Sequence, residues 1–317
     1  MRAVLAALLL GAAVNVAQPE TLAYVTEQGL DSVAVVDIDA WRIVEQVKVG
    51  LKPAGVAVTP GGERIFVSNP GSSSVSELSR GADGRHSVVA EVKVGQGPLG
   101  IAVDRVGRLV FVADWYNDDV HVLEASSLHE VRVLKVGRSP SGMTTSPDNY
   151  LLFVANRESD TVSVINLASW KTIATIPVGK APFGLSYDEN GPRLWVANVQ
   201  SSDVSIIDLH EMKEIRRIKV GEFPYGVAVT KDGSRAFVTN QHDDSVSVLD
   251  GRSYDVLAKL KVDDYPEGVL IAPDQKHALV ACWMDDVFVS IDVATLKIDA
   301  RLEVGAGPRA FGQFIAP

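Results

Sequence analysis

A six-residue phrase, Gly-x-x-Pro-x-Gly, recurs along the chain and limits what it can fold into more than any other feature. It reads Gly50-Leu-Lys-Pro-Ala-Gly55, Gly95-Gln-Gly-Pro-Leu-Gly100, Gly137-Arg-Ser-Pro-Ser-Gly142, Gly179-Lys-Ala-Pro-Phe-Gly184 and Gly221-Glu-Phe-Pro-Tyr-Gly226. Two copies depart from it, Asp263-Asp-Tyr-Pro-Glu-Gly268 and Gly305-Ala-Gly-Pro-Arg-Ala310. The prolines stand at 53, 98, 140, 182, 224, 266 and 308, one step of 45 followed by five of 42. A period held that closely means one supersecondary unit built seven times, each burying its apolar faces against its neighbours.

Each unit has the same internal order. After the proline comes a short apolar run such as Gly226-Val-Ala-Val229, then a turn such as Lys231-Asp-Gly-Ser234, rich in residues that tolerate left-handed backbone. A strand that opens basic and ends apolar follows, as in Arg235-Ala-Phe-Val-Thr239. Next is an alternating strand, Ser245-Val-Ser-Val-Leu249, whose period of two marks a half-buried strand. A last strand, exemplified by Ile218-Lys-Val220, runs into the next copy of the phrase. Four strands per unit with no helical periodicity predict an all-β, seven-bladed β-propeller of four-stranded blades. At the N-terminus, Leu22-Ala-Tyr-Val-Thr26 matches a second strand and no first strand precedes it; at the C-terminus, residues 309–315 match a first strand with nothing after it. The N-terminal three strands and the C-terminal one are therefore expected to complete a single blade and leave no open sheet edge. The 3 extra residues of the long step fall most simply in the loop from Ser79 to His86.

The repeat leaves the first 20 or so residues over. Met1-Arg2 followed by an apolar stretch from Ala3 to Val14 has the form of a secretory signal, too short for a comfortable membrane span. A signal peptide over residues 1–17, with cleavage after Ala13 or Ala17, and a single propeller domain over 21–317 are expected. The mature protein would then be periplasmic or secreted, with no membrane insertion. The net charge of -10 without any basic run argues against broad binding of nucleic acid or anionic lipid. The single cysteine, Cys282, excludes an internal disulfide framework, so core packing must hold the fold.

The segments Tyr24-Val-Thr-Glu27, Phe66-Val-Ser-Asn69, Phe153-Val-Ala-Asn156, Trp195-Val-Ala-Asn198 and Phe237-Val-Thr-Asn240 resemble the Tyr-Val-Thr-Asn motif of the YVTN family of seven-bladed propellers. The resemblance extends over all seven units. It implies the propeller fold and a choice of roles, because similar propellers include accessory proteins of periplasmic quinoprotein pathways, surface-layer and binding proteins, lactonase-like enzymes and amine dehydrogenase subunits. Fold alone does not choose among them.

Seven copies in one chain allow each residue to be judged against its equivalents. The second strand closes on Glu27, Asn69, Asp114, Asn156, Asn198, Asn240 and Cys282, where Asn or Asp is expected to fasten the following turn. The residue after each proline is Ala54, Leu99, Ser141, Phe183, Tyr225, Glu267 and Arg309, small on one side of the ring and aromatic or charged on the other. The loops that carry these residues share a face with the loops between second and third strands. That face is the expected binding site, with Trp115, Tyr116, Arg157, Phe183, Phe223, Tyr225, His242, Tyr265, Glu267, Trp283 and Arg309 as its candidates, because an aromatic-lined concavity with a few polar groups is what ligand sites look like. The alternative is that the rings pack on neighbouring loops and cap the channel. Cys282, Met284 and His242 lie on adjacent blades and soft sulfur with imidazole suits copper, but no recognised ligand spacing is present and no cofactor is predicted. The remaining histidines read as scattered, with His121 inside a third strand.

These features lead to an exported, non-catalytic propeller that binds a protein partner or small ligand at its channel mouth, accessory to periplasmic oxidoreductases by resemblance. One alternative is a lactonase-, lyase- or hydrolase-like enzyme at the same mouth, with Glu267 as general base and Arg309 as anion clamp. The other is a surface structural or adhesion propeller.

Overall fold

The computed structural model describes residues 20–316; the expected signal peptide lies outside them. Seven sheets, antiparallel except at the closing strand, stand around a central channel. We letter the strands of a blade A to D from the channel outward. Blades 1 to 6 comprise residues 55–93, 98–135, 140–177, 182–219, 224–261 and 266–303. Blade 7 takes its B, C and D strands from Leu22–Glu27, Ser32–Asp37 and Arg42–Lys48.

The alternating strand is buried on both faces rather than half-buried, because neighbouring blades cover both sides of each sheet. Strands B and C are buried along their length, as in Arg64–Asn69 and Ser74–Arg80, whereas strand D shows one face to solvent, as in Lys297–Glu303. At one position of strand B stand Tyr24, Phe66, Phe111, Phe153, Trp195, Phe237 and Leu279, all 0–1% exposed. Each packs into the blade that follows. Phe153 lies among Leu194, Val196 and Ile207, and Trp195 among Val227, Val238 and Leu249. A blade's core is thus completed by its neighbour's large side chain, an aromatic ring in six of the seven, and such a ring truncated to alanine costs about 3–5 kcal/mol.

The second glycine of the phrase has a steric reason. A Cβ on Gly100 would lie 1.7 Å from the carbonyl oxygen of Ser141 in the next blade, and on Gly184 2.5 Å from that of Tyr225. The A strands therefore approach so closely that side chains are excluded between them. At the seventh copy Ala310 replaces glycine and takes a left-handed φ of 45°, which none of the six glycines adopts.

The ring closes as the repeat implies, with one difference. The C-terminal segment bridges strand B of blade 7 at Glu27↔Pro308 and Ala23↔Ile315, with Arg309 N donating to Thr26 O (3.1 Å) and Tyr24 N to Phe314 O (2.8 Å). Between those bridges Phe311–Gln313 pairs instead in parallel with Gly55–Val58 of blade 1. The closing strand is shared between the last blade and the first, so it joins both sides of the seam. The extra residues of blade 1 sit at the C–D turn, between Ser74–Arg80 and His86–Lys93. Among the described residues no helix is long and apolar enough to cross a membrane.

Candidate functional site

The residues after the prolines point into the channel at the loop-rich face, and the large ones fill it. Phe183 is 3% exposed and stands 3.9 Å from Tyr225 and 4.8 Å from Phe311, centroid to centroid, with Leu99 and Trp115 packed against the cluster. Arg157 lies 5.4 Å above the Trp115 ring. The inner set of candidates is therefore a stopper. Phe311, which completes it, was absent from the sequence-derived set because it follows the last proline by three residues rather than one.

Glu267 and Arg309 are part of the same plug. Arg309 donates through Nε to Glu267 Oε2 (2.6 Å) and through Nη2 to Glu267 Oε1 (3.0 Å) and Tyr225 Oη (3.2 Å). Gln241 Nε2 adds a bond to Glu267 Oε1 (2.7 Å), and Glu267 is 1% exposed. Burial opposes the Arg309 charge, but the facing Glu267 carboxylate outweighs it and the guanidinium is held more firmly protonated than usual. Burial also pushes the Tyr225 phenol up. A carboxylate whose oxygens are occupied in this way is a structural ion pair of the fork–fork type.

The outer candidates form a second, more exposed chain of rings across blades 5 and 6. Phe223 stacks on His242 at 3.8 Å, His242 Nε2 pairs with Tyr265 Oη at 2.8 Å, and Tyr265 lies 5.8 Å from Trp283. The arc ends at a hollow of about 400 Å³ lined by Trp283, Met284, Gln28, Gly29, Lys52 and Gly307. Met284 is 59% exposed, and Leu30 and Leu51, chain neighbours of lining residues, are 39% and 54% exposed. The Trp283 indole nitrogen has no hydrogen-bond partner among the described residues. Tyr116 stands apart from both groups, 71% exposed over Gly97.

The stopper leaves the channel open on the opposite face as a funnel of about 550 Å³, walled by A strands and their following turns, including Thr59, Met143, Thr145, Ser186 and Lys231, with Phe311 among its lining. Neither Glu267 nor Arg309 lines this funnel or the hollow.

Cys282 is fully buried beside Phe237, Val280 and Val289, and burial pushes its thiol up, away from the thiolate a soft metal would need. His242 is engaged by Tyr265, and Met284 faces solvent. His121, by contrast, is not isolated: its ring meets Asp114, Asp119 and Glu130. The signal was available in the repeat, at the positions five and seven residues beyond the end of strand B, which are Ser, Thr or Asp and then Ser in four other blades.

No model of a known protein family matches the sequence, and no curated protein sequence matches it. Among solved structures the chain is similar to a functionally unknown protein from Desulfotomaculum acetoxidans, with a TM-score of 0.80 at 14% identity over 92% of this chain and 99% of that one. It is similar to hydrazine synthase of Kuenenia stuttgartiensis, with a TM-score of 0.76 at 20% identity over 92% and 100%. A third similar structure is the periplasmic gluconolactonase PpgL of Pseudomonas aeruginosa, with a TM-score of 0.75 at 18% identity over 92% and 97%. At these identities the likeness is one of fold, the seven-bladed propeller.

Proposed function

We propose that this chain is an exported, non-catalytic YVTN-type propeller that docks a protein partner on the sector of its loop-rich face spanning blades 6, 7 and 1. The observation that carries the reading is the hollow at the end of the aromatic arc, lined by Trp283 and Met284, with the exposed Leu30 and Leu51 next in the chain to its lining residues Gly29 and Lys52. A contiguous exposed apolar patch edged by polar groups marks an interaction surface, and Trp with Met is the composition of interface cores. Binding rather than catalysis is supported by the fate of Glu267 and Arg309, which hold each other and line neither the hollow nor the funnel. The accessory role follows the repeat resemblance.

A photo-crosslinker at position 284 is expected to trap a discrete protein in an extract of the protein's own cell. One at Tyr150, 58% exposed on the opposite face, is not. The reverse pattern would overturn the reading and favour a second one, a ligand seated in the funnel. That alternative rests on the funnel's size, which falls within the range of small-molecule sites. It also accommodates the lactonase-like reading, and turnover of a lactone panel by the protein would support it.

A further inference from the structure

Four blades tie the end of strand B to strand C with one polar trio. Asn69, Asn156, Asn198 and Asn240 donate through Nδ2 to Ser74 and Ser76, Thr161 and Ser163, Asp203 and Ser205, and Ser245 and Ser247, at 2.8–3.3 Å. Blade 2 replaces two members and keeps at the first partner's position an Asp like the Asp203 of blade 4. Asp114 stands for the Asn, Asp119 for the first partner and His121 for the second Ser. Asp114 breaks the trio's hydrogen-bond logic, because a carboxylate cannot donate to its neighbours as the Asn amide does.

The geometry of the replacements is that of a ligand set. His121 Nε2 lies 3.4 Å from Asp119 Oδ1 and 3.7 Å from Asp114 Oδ2. The three ligand atoms fall within 4.8 Å of one another. Nitrogen and oxygen ligands held about 2.1 Å from a tetrahedral ion stand about 3.4 Å apart. The Asp114 side chain is 0% exposed, that of Asp119 8% and that of His121 12%. Asp119 Oδ1 and His121 Nε2 are buried and have no hydrogen-bond partner among the described residues, although both belong to the group's three ligand side chains. Buried, unpartnered polar atoms are costly, and buried charges are paired or coordinate metals.

The surroundings orient the set. Glu130 holds His121 Nδ1, which aims Nε2 inward in the way carboxylates position metal-bound imidazoles. Asp114 accepts from the backbone of Gln96 (2.8 Å), Gly97 (3.0 Å) and Tyr116 (3.1 Å) and from Asn117 Nδ2 (2.6 Å). Lys135 Nζ donates to Asp119 Oδ2 (2.8 Å) and leaves Oδ1 free. Gly95 roofs the group: a Cβ there would meet Asp114 Oδ2 at 2.1 Å and His121 Nε2 at 3.0 Å. Among the first glycines of the phrase, only Gly95 takes a left-handed φ, 56°, so the loop over this blade has its own backbone path.

We propose that Asp114, Asp119 and His121 bind a divalent cation of the zinc class, with Glu130 as a positioning residue for His121. Buried as it is, such an ion would be structural, clamping strands B and C of blade 2 beneath the Gly95 loop.

The test is a titration of the chelator-treated full chain with Zn²⁺ alone, and with Co²⁺ to read coordination by visible absorption. A His277→Asn background removes the other His–Asp group among the described residues, His277 with Asp292 and Asp299. One equivalent bound with the absorption of a low-coordinate nitrogen–oxygen site is expected. The variant Asp114→Asn/Asp119→Ser/His121→Ser, which writes the other blades' trio into blade 2, is expected to lose at least 100-fold in affinity. Glu130→Gln, at a more exposed position, should weaken binding about 10–100-fold. Absence of stoichiometric binding by the His277→Asn protein overturns the proposal. So does equal affinity in the triple variant, and the group is then a hydrogen-bonded tie like those of the other blades.

Discussion

At the scale of residues, the same position carries different loads in different blades. Gly184 serves only closeness, since its missing Cβ lets the Tyr225 carbonyl approach. Gly184→Ala is expected to cost about 1–3 kcal/mol by overpacking, seen as a lower denaturation midpoint at unchanged m-value. Glu267 has the opposite role, adding charge to a site that is otherwise aromatic. Glu267→Ala leaves Arg309 without its partner in a buried plug and is expected to destabilise the ring by about 3–5 kcal/mol. The Cys282 thiol, pushed up by burial, should react with a thiol reagent only after unfolding; fast labelling of the native protein would contradict its place in the core. The residue-level asymmetry after the prolines was legible in the sequence, but its consequence was not. Sequence shows that Phe183, Tyr225, Glu267 and Arg309 share a rim, whereas only packing shows that they meet across it and close it.

Strands and their turns show where reading by repeat succeeds. Strand B is buried almost throughout, so its register follows from the repeat, which places Tyr24, Phe66, Phe111, Phe153, Trp195 and Phe237 at one level. The insertion in blade 1 was locatable too, but not its use. It delivers His86 to the seam between blades 7 and 1, where Nε2 meets Tyr24 Oη at 3.1 Å and Nδ1 meets Glu45 Oε2 at 3.1 Å. Burial lowers the His86 pKa below its ordinary value, outweighing the Glu45 carboxylate, and burial raises Tyr24 to about 12. The sign follows from linkage. The unfolded chain binds a proton at His86 that the folded chain refuses, so this contribution is complete above about pH 6.5 and is lost as pH falls towards the lower folded value. Thermal melts between pH 8 and 5 should show a fall in stability that His86→Gln reduces. An unchanged pH slope would remove His86 from the seam's energetics. Asp114 behaves differently: burial alone would raise its carboxyl, but the backbone groups of Gln96, Tyr116 and Gly97 and the Asn117 amide hold it below the usual range.

For the whole molecule, closure and face are the two levels that matter. The ring was legible because both termini declare incomplete blades. The sharing of the closing strand was not, because Phe311–Gln313 pairs with a strand that begins more than 250 residues earlier in the chain. Deleting residues 308–317 should therefore expose two sheet edges at once and abolish a single cooperative transition in calorimetry. The face is decided by what the stopper leaves: a sealed centre, an apolar sector at blades 6, 7 and 1, and a funnel behind. The most direct test of that sector as the docking surface is the affinity of the crosslinked partner, once purified, for the protein and for Trp283→Ala. Loss of an aromatic hot spot removes about 2 kcal/mol or more, roughly 30-fold in Kd. The expected result is that loss with an unchanged melting temperature; a Kd equal to that of the unsubstituted protein would contradict the account.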